Sequence, residues 1–464
     1  MTIIELFFAI SLPWLQGILI ICLFCSFTTE KLPVTIVIGY GYLLGMVIVT
    51  LIIRVLPLSP VIISTALIIF CISSFALLWL RSRGTLSTST ITSSHLSQYK
   101  MSLSLMFPIV VFTIISIHVY LLACNIIVKP MFAWDAWATW SVKARTWFEL
   151  GQIVTFVDKT TWLNNLDSSL HTLDAWHYPD TVPLIQTWLA LMINRWDDSL
   201  VNLPWLFCFI ALGTGFYGQL KLLDIPPVLK ITGLYLIVSL PLINTHVALA
   251  GYADIWLSTA YTFTMLSLIQ YLIIPSRAQL GLTLISACCV LLIKVEGIVL
   301  VATLLPVWLS VNASSSLQKK MLIISCVIVA AIITVITVLS PMELNLPYLG
   351  KFQIAYHPVW TAVMINYLEL PSWHLLGYLT ITGLLYSSFS SSLSVQQRKL
   401  ILIPSAVLLG YLFVLFFLTQ NYSWAQQYSS INRITLQLFP VIVFCLFLIF
   451  DKRFQNRHML RQVT

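Results

Sequence analysis

Leu105-Met106-Phe107-Pro108-Ile109-Val110-Val111-Phe112-Thr113-Ile114-Ile115-Ser116-Ile117-His118-Val119-Tyr120-Leu121-Leu122-Ala123-Cys124-Asn125-Ile126-Ile127 runs without a single charged side chain. As a helix, a run of that length crosses the ~30 Å hydrocarbon core of a bilayer, which takes roughly 20 apolar residues. Working outward from it, similar runs recur at about 3–25, 34–55, 60–80, 200–220, 231–249, 255–274, 279–293, 297–311, 321–340, 373–390, 400–419 and 433–450. With 59% hydrophobic residues, 9% charged residues and a mean hydropathy of +0.95, a soluble globular protein is excluded. Backbone groups in lipid must be satisfied within the segment, so the spans read as helices. The sequence predicts an all-α polytopic membrane protein of about 13 transmembrane helices with a large first outward loop.

Positive charge orients such a chain. Arg81, Arg83 and Lys100 share one hydrophilic loop, Lys319 and Lys320 another, Arg398 and Lys399 a third; the tail carries Lys452, Arg453, Arg457 and Arg461. All four face the cytoplasm if loop 128–199 faces outward, with the amino terminus outside. The first span is too long, and too poor in preceding charge, for a cleaved signal peptide. The apolar stretch 182–194 is short and is placed in the outer loop, as an interfacial or re-entrant segment. Residues 279–311 read either as one long helix or as a hairpin; the hairpin keeps Arg277 and the Lys319-Lys320 pair on the same side. Residues 1–104 form an amino-terminal three-helix extension with a Ser/Thr-rich linker at 84–97. Residues 105–311 form a membrane core, and 312–464 the carboxyl-terminal helices with outer loops 341–372 and 420–432. The net charge of +8 is scattered over the cytoplasmic loops and implies no nucleic-acid partner. The Cys22-x-x-Cys25 pair lies inside a span and reads as packing. Composition does not define an oligomeric state.

Residues 129–199 hold eight of the 16 acidic residues and eight of the 16 tryptophans. Acids near lipid are costly and mark functional candidates. Four clusters fall on the outer face. Trp134-Asp135-Ala136-Trp137 leads into Trp140, Lys143, Arg145 and Glu149; as a helix, Trp140, Ala144 and Trp147 share one face. His177-Tyr178-Pro179-Asp180 follows, where Asp180 is also a candidate helix cap. Gly251-Tyr252-Ala253-Asp254 begins the span 255–274, and Asp254 too reads as a site residue or a cap. Lys294-Val295-Glu296-Gly297 interrupts an apolar stretch with opposite charges, either as a turn-stabilising pair, or to meet a phosphate, or to pair with an acid from another cluster. Loops 341–372 and 420–432 contribute Lys351, Tyr356, His357, Glu369, Gln426, Gln427 and Arg433 without forming a motif.

The order and sidedness of these four clusters resemble the GT-C superfamily of polyprenyl-phosphate-dependent glycosyltransferases. The branch most similar is that of protein O-mannosyltransferases and the lipid A aminoarabinose transferase. The resemblance covers about residues 105–310. It implies a GT-C-like fold in a bacterial inner or plasma membrane, and a polyprenyl-phosphate-linked sugar donor set among membrane lipids. Asp135 would be the general base for an acceptor hydroxyl, with inversion at the anomeric carbon. Lys143, Arg145 or Lys294 would meet the departing phosphate. Trp134, Trp137 and Trp140 would stack on sugar or seat the isoprenoid, with His177, Tyr178, Asp180, Tyr252 and Glu296 lining the site. Asp254 would orient the acceptor or share a divalent cation, Mg²⁺ or Mn²⁺, with Asp135. The family often carries adjacent acids in the first loop, whereas Asp135 stands alone, a pattern compatible with a metal-independent reaction. The rival readings are a transporter or flippase of a lipid-linked glycan, an O-antigen ligase or polymerase, and a scaffold with a decayed site.

Overall fold

The computed structural model describes residues 3–84, 103–165, 169–313, 342–346 and 350–454, with residues 316 and 320. The expected span 321–340, most of the 84–97 linker, Lys100, Lys319, Arg457 and Arg461 lie outside the described residues. Among the described residues seven helices are long and apolar enough to cross a membrane: Ile3–Thr28, Val34–Ile53, Pro60–Arg81, Met106–Val128, Leu200–Lys221, Val395–Phe417 and Ser430–Phe450. Each coincides with a run read from the sequence. The protein is an all-α multi-pass membrane protein, apart from two small ribbons: a parallel one pairing Phe156–Val157 with His171–Thr172, and an antiparallel hairpin, Met342–Leu346 with Gly350–Ile354. The expected span 231–249 is a broken pair, Pro227–Val238 and Pro241–Ala248, interrupted at Pro241. The expected span 373–390 is the 14-residue helix Leu376–Phe389.

The chain divides into two compact units. The first comprises Met1–Gly218, Pro226–Ser239 and Val247–Tyr252; the second comprises Gln219–Ile225, Leu240–His246 and Ala253–Thr464. The expected extension 1–104 and the loop 128–199 therefore share one unit. Helices Ile3–Thr28 and Val34–Ile53 cross with their backbones in contact. A Cβ at Gly45 would lie 1.8 Å from the Pro13 carbonyl oxygen, and one at Gly17 would lie 1.9 Å from that of Gly41. Small residues allow this approach where lipid removes any hydrophobic drive between helices.

The segment 182–194 is enclosed by protein within the first unit. Thr181–Met192 is a 12-residue helix in which Thr181 through Leu191 are all buried, so it is a core helix of the first unit. Ten to fourteen apolar residues are as compatible with a buried core helix as with a re-entrant segment. The indole Nε1 of Trp188 donates to the Ala9 carbonyl at 2.7 Å. That carbonyl stands four residues before Pro13, which has no N–H to offer it. The second unit repeats the device. Pro440 frees the carbonyl of Leu436, and the Ser258 hydroxyl donates to it at 2.9 Å.

In the second unit the helix Asp254–Ile273 is buried along almost its whole length. Arg277–Ile293 and Ser430–Phe447 pack against it. Residues 279–311 are not one rod: Arg277–Ile293 and Gly297–Asn312 are separate helices. A Cβ at Gly297 would lie 2.3 Å from the carbonyl oxygen of Val290. Residues seven apart in a continuous helix are ~10 Å apart along the axis, so the chain turns sharply at Lys294-Val295-Glu296.

Candidate functional site

In the first unit a π turn, Ala136–Trp140, opens the helix Ser141–Leu150, which ends at Gly151 in the left-handed region (φ 65°). Trp140, Ala144 and Trp147 are buried, as their spacing predicts. The π turn adds one residue to its turn and offsets Trp134 to Trp137 from that buried face. Trp134 and Trp137 are consequently exposed and meet edge to face at 4.6 Å, with Asp135 half-buried between them. His177 is exposed and stacks on Tyr178, whose ring tilts against Trp140 at 5.1 Å.

Lys143 does not face a phosphate site. Its side chain is buried, and Nζ donates to the Trp176 carbonyl (2.9 Å), the Tyr178 carbonyl (3.1 Å) and Asp180 Oδ1 (3.0 Å). An ammonium has three protons, and these three acceptors use them all. Asp180 occupies the cap position of Thr181–Met192 but makes no side-chain cap bond; its carboxylate serves Lys143 instead. Lys143 is thus a clasp that fixes the His177–Asp180 segment. Lys143→Met should lower thermal stability by about 3 kcal/mol, toward the lower end for a broken buried pair because Asp180 reaches solvent. A melting curve unchanged from wild type would remove the clasp.

Most acids of this loop have structural partners. Glu149 pairs with exposed Arg145 one turn away at 3.8 Å. Asp158 caps Lys159–Asn164, and the Thr161 hydroxyl and amide hold its carboxyl below the usual carboxylate range. Asp197 accepts from Arg195 and from the Ser199 and Leu200 amides, and Asp198 accepts from Trp196. Asp135 lies beside exposed tryptophans at an irregular turn.

Gly251 holds the chain ahead of Tyr252, whose carbonyl accepts from Trp205 at 2.7 Å. Its φ of 105° lies outside the range of L side chains, and a Cβ there would fall 2.4 Å from the Cβ of Ala136. Gly251→Ala should cost about 1–3 kcal/mol of stability. A wild-type melting temperature would contradict this close packing.

The second unit holds the densest charge cluster. Asp254 begins its helix but does not cap it. Its Oδ2 accepts from Arg433 Nε (3.0 Å) and Nη2 (2.9 Å); its Oδ1 accepts from Gln437 Nε2 (3.0 Å) and Lys294 Nζ (3.5 Å). Lys294 also meets Glu296 at 3.3 Å. His246 lies within electrostatic range of Asp254, and Tyr411 within range of Glu296 and Lys294. Side-chain exposure rises from 1% at Asp254 through 10% at Lys294 and 25% at Arg433 to 34% at Glu296, so the carboxylate is sealed while the cations approach an opening. The Lys294 pairing with an acid of another cluster is the third of the alternatives read from the sequence. Arg433 and Gln437 are partners the sequence reading missed; only their i, i+4 spacing signals a common face.

With both oxygens occupied, Asp254 is an anchor for two cations. A metal ion or an acceptor hydroxyl would have to displace one of them, so the donor set does not fit a shared cation. Among the described residues no group of three or more His, Cys, Asp or Glu side chains is placed to hold a metal.

The same unit also holds an apolar groove of about 450 Å³, lined by Trp360, Tyr367, Phe413, Phe416, Phe417 and Ile431 among others. Ile431 and Thr435 share one face of the Arg433 helix; Arg433 and Gln437 share the opposite one. The Tyr367 hydroxyl meets Thr435 Oγ1 at 2.5 Å on the groove side. His357 lies nearby in sequence and stacks on Tyr422 at 3.8 Å.

These features define a helical multi-pass membrane protein whose second unit holds a buried carboxylate anchoring two cations, and an aromatic groove. No protein-family model, curated protein or solved structure matches the chain.

Proposed function

We propose that the protein is an integral-membrane glycosyltransferase of GT-C-like architecture, with about 13 spans and its active face outward. It moves a sugar from a polyprenyl-phosphate-linked donor to a hydroxyl acceptor. The observation that carries the reading is the Lys294–Arg433 pair held on the buried Asp254 carboxylate, a cationic site for a phosphate, in a unit that also holds an aromatic groove. The acceptor oxygen attacks the anomeric carbon and the carbon–oxygen bond to phosphate breaks with inversion. The acceptor proton passes to a carboxylate base, for which the first unit offers Asp135; the phosphate leaves with the bonding pair, and the cations the second unit offers it are Lys294 and Arg433. Asp254 acts through the cations it positions.

The test is binding of a synthetic polyprenyl phosphate to the purified protein. Arg433→Gln removes a charge-assisted donor and should weaken binding ~10-fold or more, while Gln437 and Lys294 still hold Asp254. Equal binding by wild type and variant, or equal binding of the neutral polyprenol, sinks the phosphate site.

A transporter or flippase of a lipid-linked glycan is the second reading. It is favoured by the helix broken at Pro241 and by buried charges, both features of transport proteins. It predicts that a lipid-linked sugar offered in vesicles crosses with its glycosyl–phosphate bond intact, whereas a transferase breaks that bond.

A further inference from the structure

A second cleft, in the first unit, is independent of this reading. It measures about 770 Å³, within the range of cavities that hold a whole small ligand. One wall is the helix Leu103–Val128. That span has a mean hydropathy of 2.2 and is only 11% buried. It packs mainly on Pro227–Val238 and leaves the cleft between itself and Leu203–Lys221.

The lining is mostly apolar and no charged residue lines it. Three of its five hydroxyls donate inside their own helices: Thr113 to the Ile109 carbonyl, Ser116 to Phe112 and Thr214 to Ile210, each at 2.9 Å. Thr35 and Tyr217 supply the other two among eleven residues without a polar side chain, a lining suited to hydrocarbon. Because the wall helices are membrane spans, the space opens onto hydrocarbon.

The lining also has a depth. It begins at Pro108, five residues into its helix, at Tyr217, four residues before the end of its own, and at Ile231, four residues into a third. At 1.5 Å per residue these points lie ~6–8 Å from the helix ends. The deeper limits are Phe209 and Val238, ~16–18 Å from those ends, and Val119, ~24 Å from its own, so the cleft reaches the midplane of a ~30 Å core and passes it along one wall. The charge bias places all these ends on the cytoplasmic side. Lys230 stands beside Ile231 and one turn before Leu234 of the lining, and exposed Lys31 lies four residues before Thr35 of the lining. Cations at the cytoplasmic surface attract anionic headgroups.

We infer that this cleft holds one acyl chain of an anionic phospholipid of the cytoplasmic leaflet, with its headgroup against Lys31 and Lys230. The site is a bound-lipid site in the half of the membrane opposite the expected catalytic face.

The full chain would be reconstituted in phosphatidylcholine nanodiscs containing a few percent of phosphatidylglycerol with a photoreactive diazirine on one acyl chain. After irradiation, adducts are mapped by peptide mass spectrometry. They should concentrate on 108–119, 209–217 and 231–238. Lys31→Gln combined with Lys230→Gln should reduce them roughly 25-fold, at about fivefold per lysine. The same photoreactive chain on phosphatidylcholine should be insensitive to that pair. Thr113→Trp, or independently Ser116→Phe, should fill the cleft and abolish the adducts. Both positions are exposed on their helix, so a thermal melt matching wild type certifies the fold. Adducts spread evenly over other lipid-facing spans such as Pro60–Arg81 would show annular lipid only and overturn the site. Labelling that survives both filling variants in folded protein would overturn it as well.

Discussion

Replacing Asp254 by alanine should cost about 3–5 kcal/mol and deplete the folded protein from the membrane. The reason is asymmetric. A buried ion pair adds little compared with well-packed apolar groups, but removing one partner strands the other charge. Here one carboxylate serves two cations and an amide, so Asp254→Ala strands Lys294 and Arg433 together. The loss is a large share of the 5–15 kcal/mol that holds a typical protein folded. Asp254→Asn should be milder, since Gln437 keeps its acceptor. Lys294→Met should be milder still, because Asp254 retains Arg433 and Gln437. Size-exclusion profiles and melting curves of the three variants in detergent give the ranking. An Asp254→Ala protein that melts like wild type would mean that the carboxylate anchors nothing.

The largest expected effect on activity is at Asp135. Asp135→Asn preserves size and most hydrogen bonding but cannot take a proton. It should fold and insert normally, still bind the polyprenyl-phosphate donor, and lose at least ~100-fold in transfer rate, the lower end for acid–base catalysis. Asp135→Glu should recover little, because an added methylene displaces the carboxylate from productive geometry. Asp180→Asn is the contrasting variant. Since Asp180 accepts from Lys143 rather than capping its helix, its substitution should lower stability and leave the rate per folded molecule near normal. Near-normal turnover in Asp135→Asn at wild-type abundance would place the base elsewhere and favour the transporter reading.

Hydropathy made the seven long apolar helices legible, because a lipid-facing span has little choice of composition. It was less informative where a helix is surrounded by protein. Asp254–Ile273 carries hydroxyls and amides along its length and Thr181–Met192 is short, yet both are buried. Burial within a membrane protein removes the demand for a lipid-soluble surface. The residue clusters were legible as unusual, but their partners were not. Arg433 meets Asp254 across 179 residues, and Lys143 meets Asp180 across 37. No local pattern encodes either distance. Four of the eight acids of residues 129–199, Glu149, Asp158, Asp197 and Asp198, serve as caps or short-range pairs, which composition cannot separate from catalytic groups. The antiparallel strands Met342–Leu346 and Gly350–Ile354 fall in the expected loop 341–372, where apolar residues alternate at Met342, Leu344 and Leu346.

The bond from Trp188 to the Ala9 carbonyl ties the first span to a side chain made 179 residues later. Ribosomes add ~5–20 residues per second, so the interval is roughly 10–35 s. During that time the gap left by Pro13 lies in a lipid setting where an unanswered carbonyl costs several kcal/mol. The first span therefore enters the bilayer incomplete, and its insertion becomes secure only when the indole arrives. Biogenesis of this protein has a built-in waiting period, during which the nascent chain depends on the insertion machinery or on headgroup water for the missing donor. Ribosome stalling between these two points should leave the first helix open to extraction; stalling after Trp188 has emerged should not.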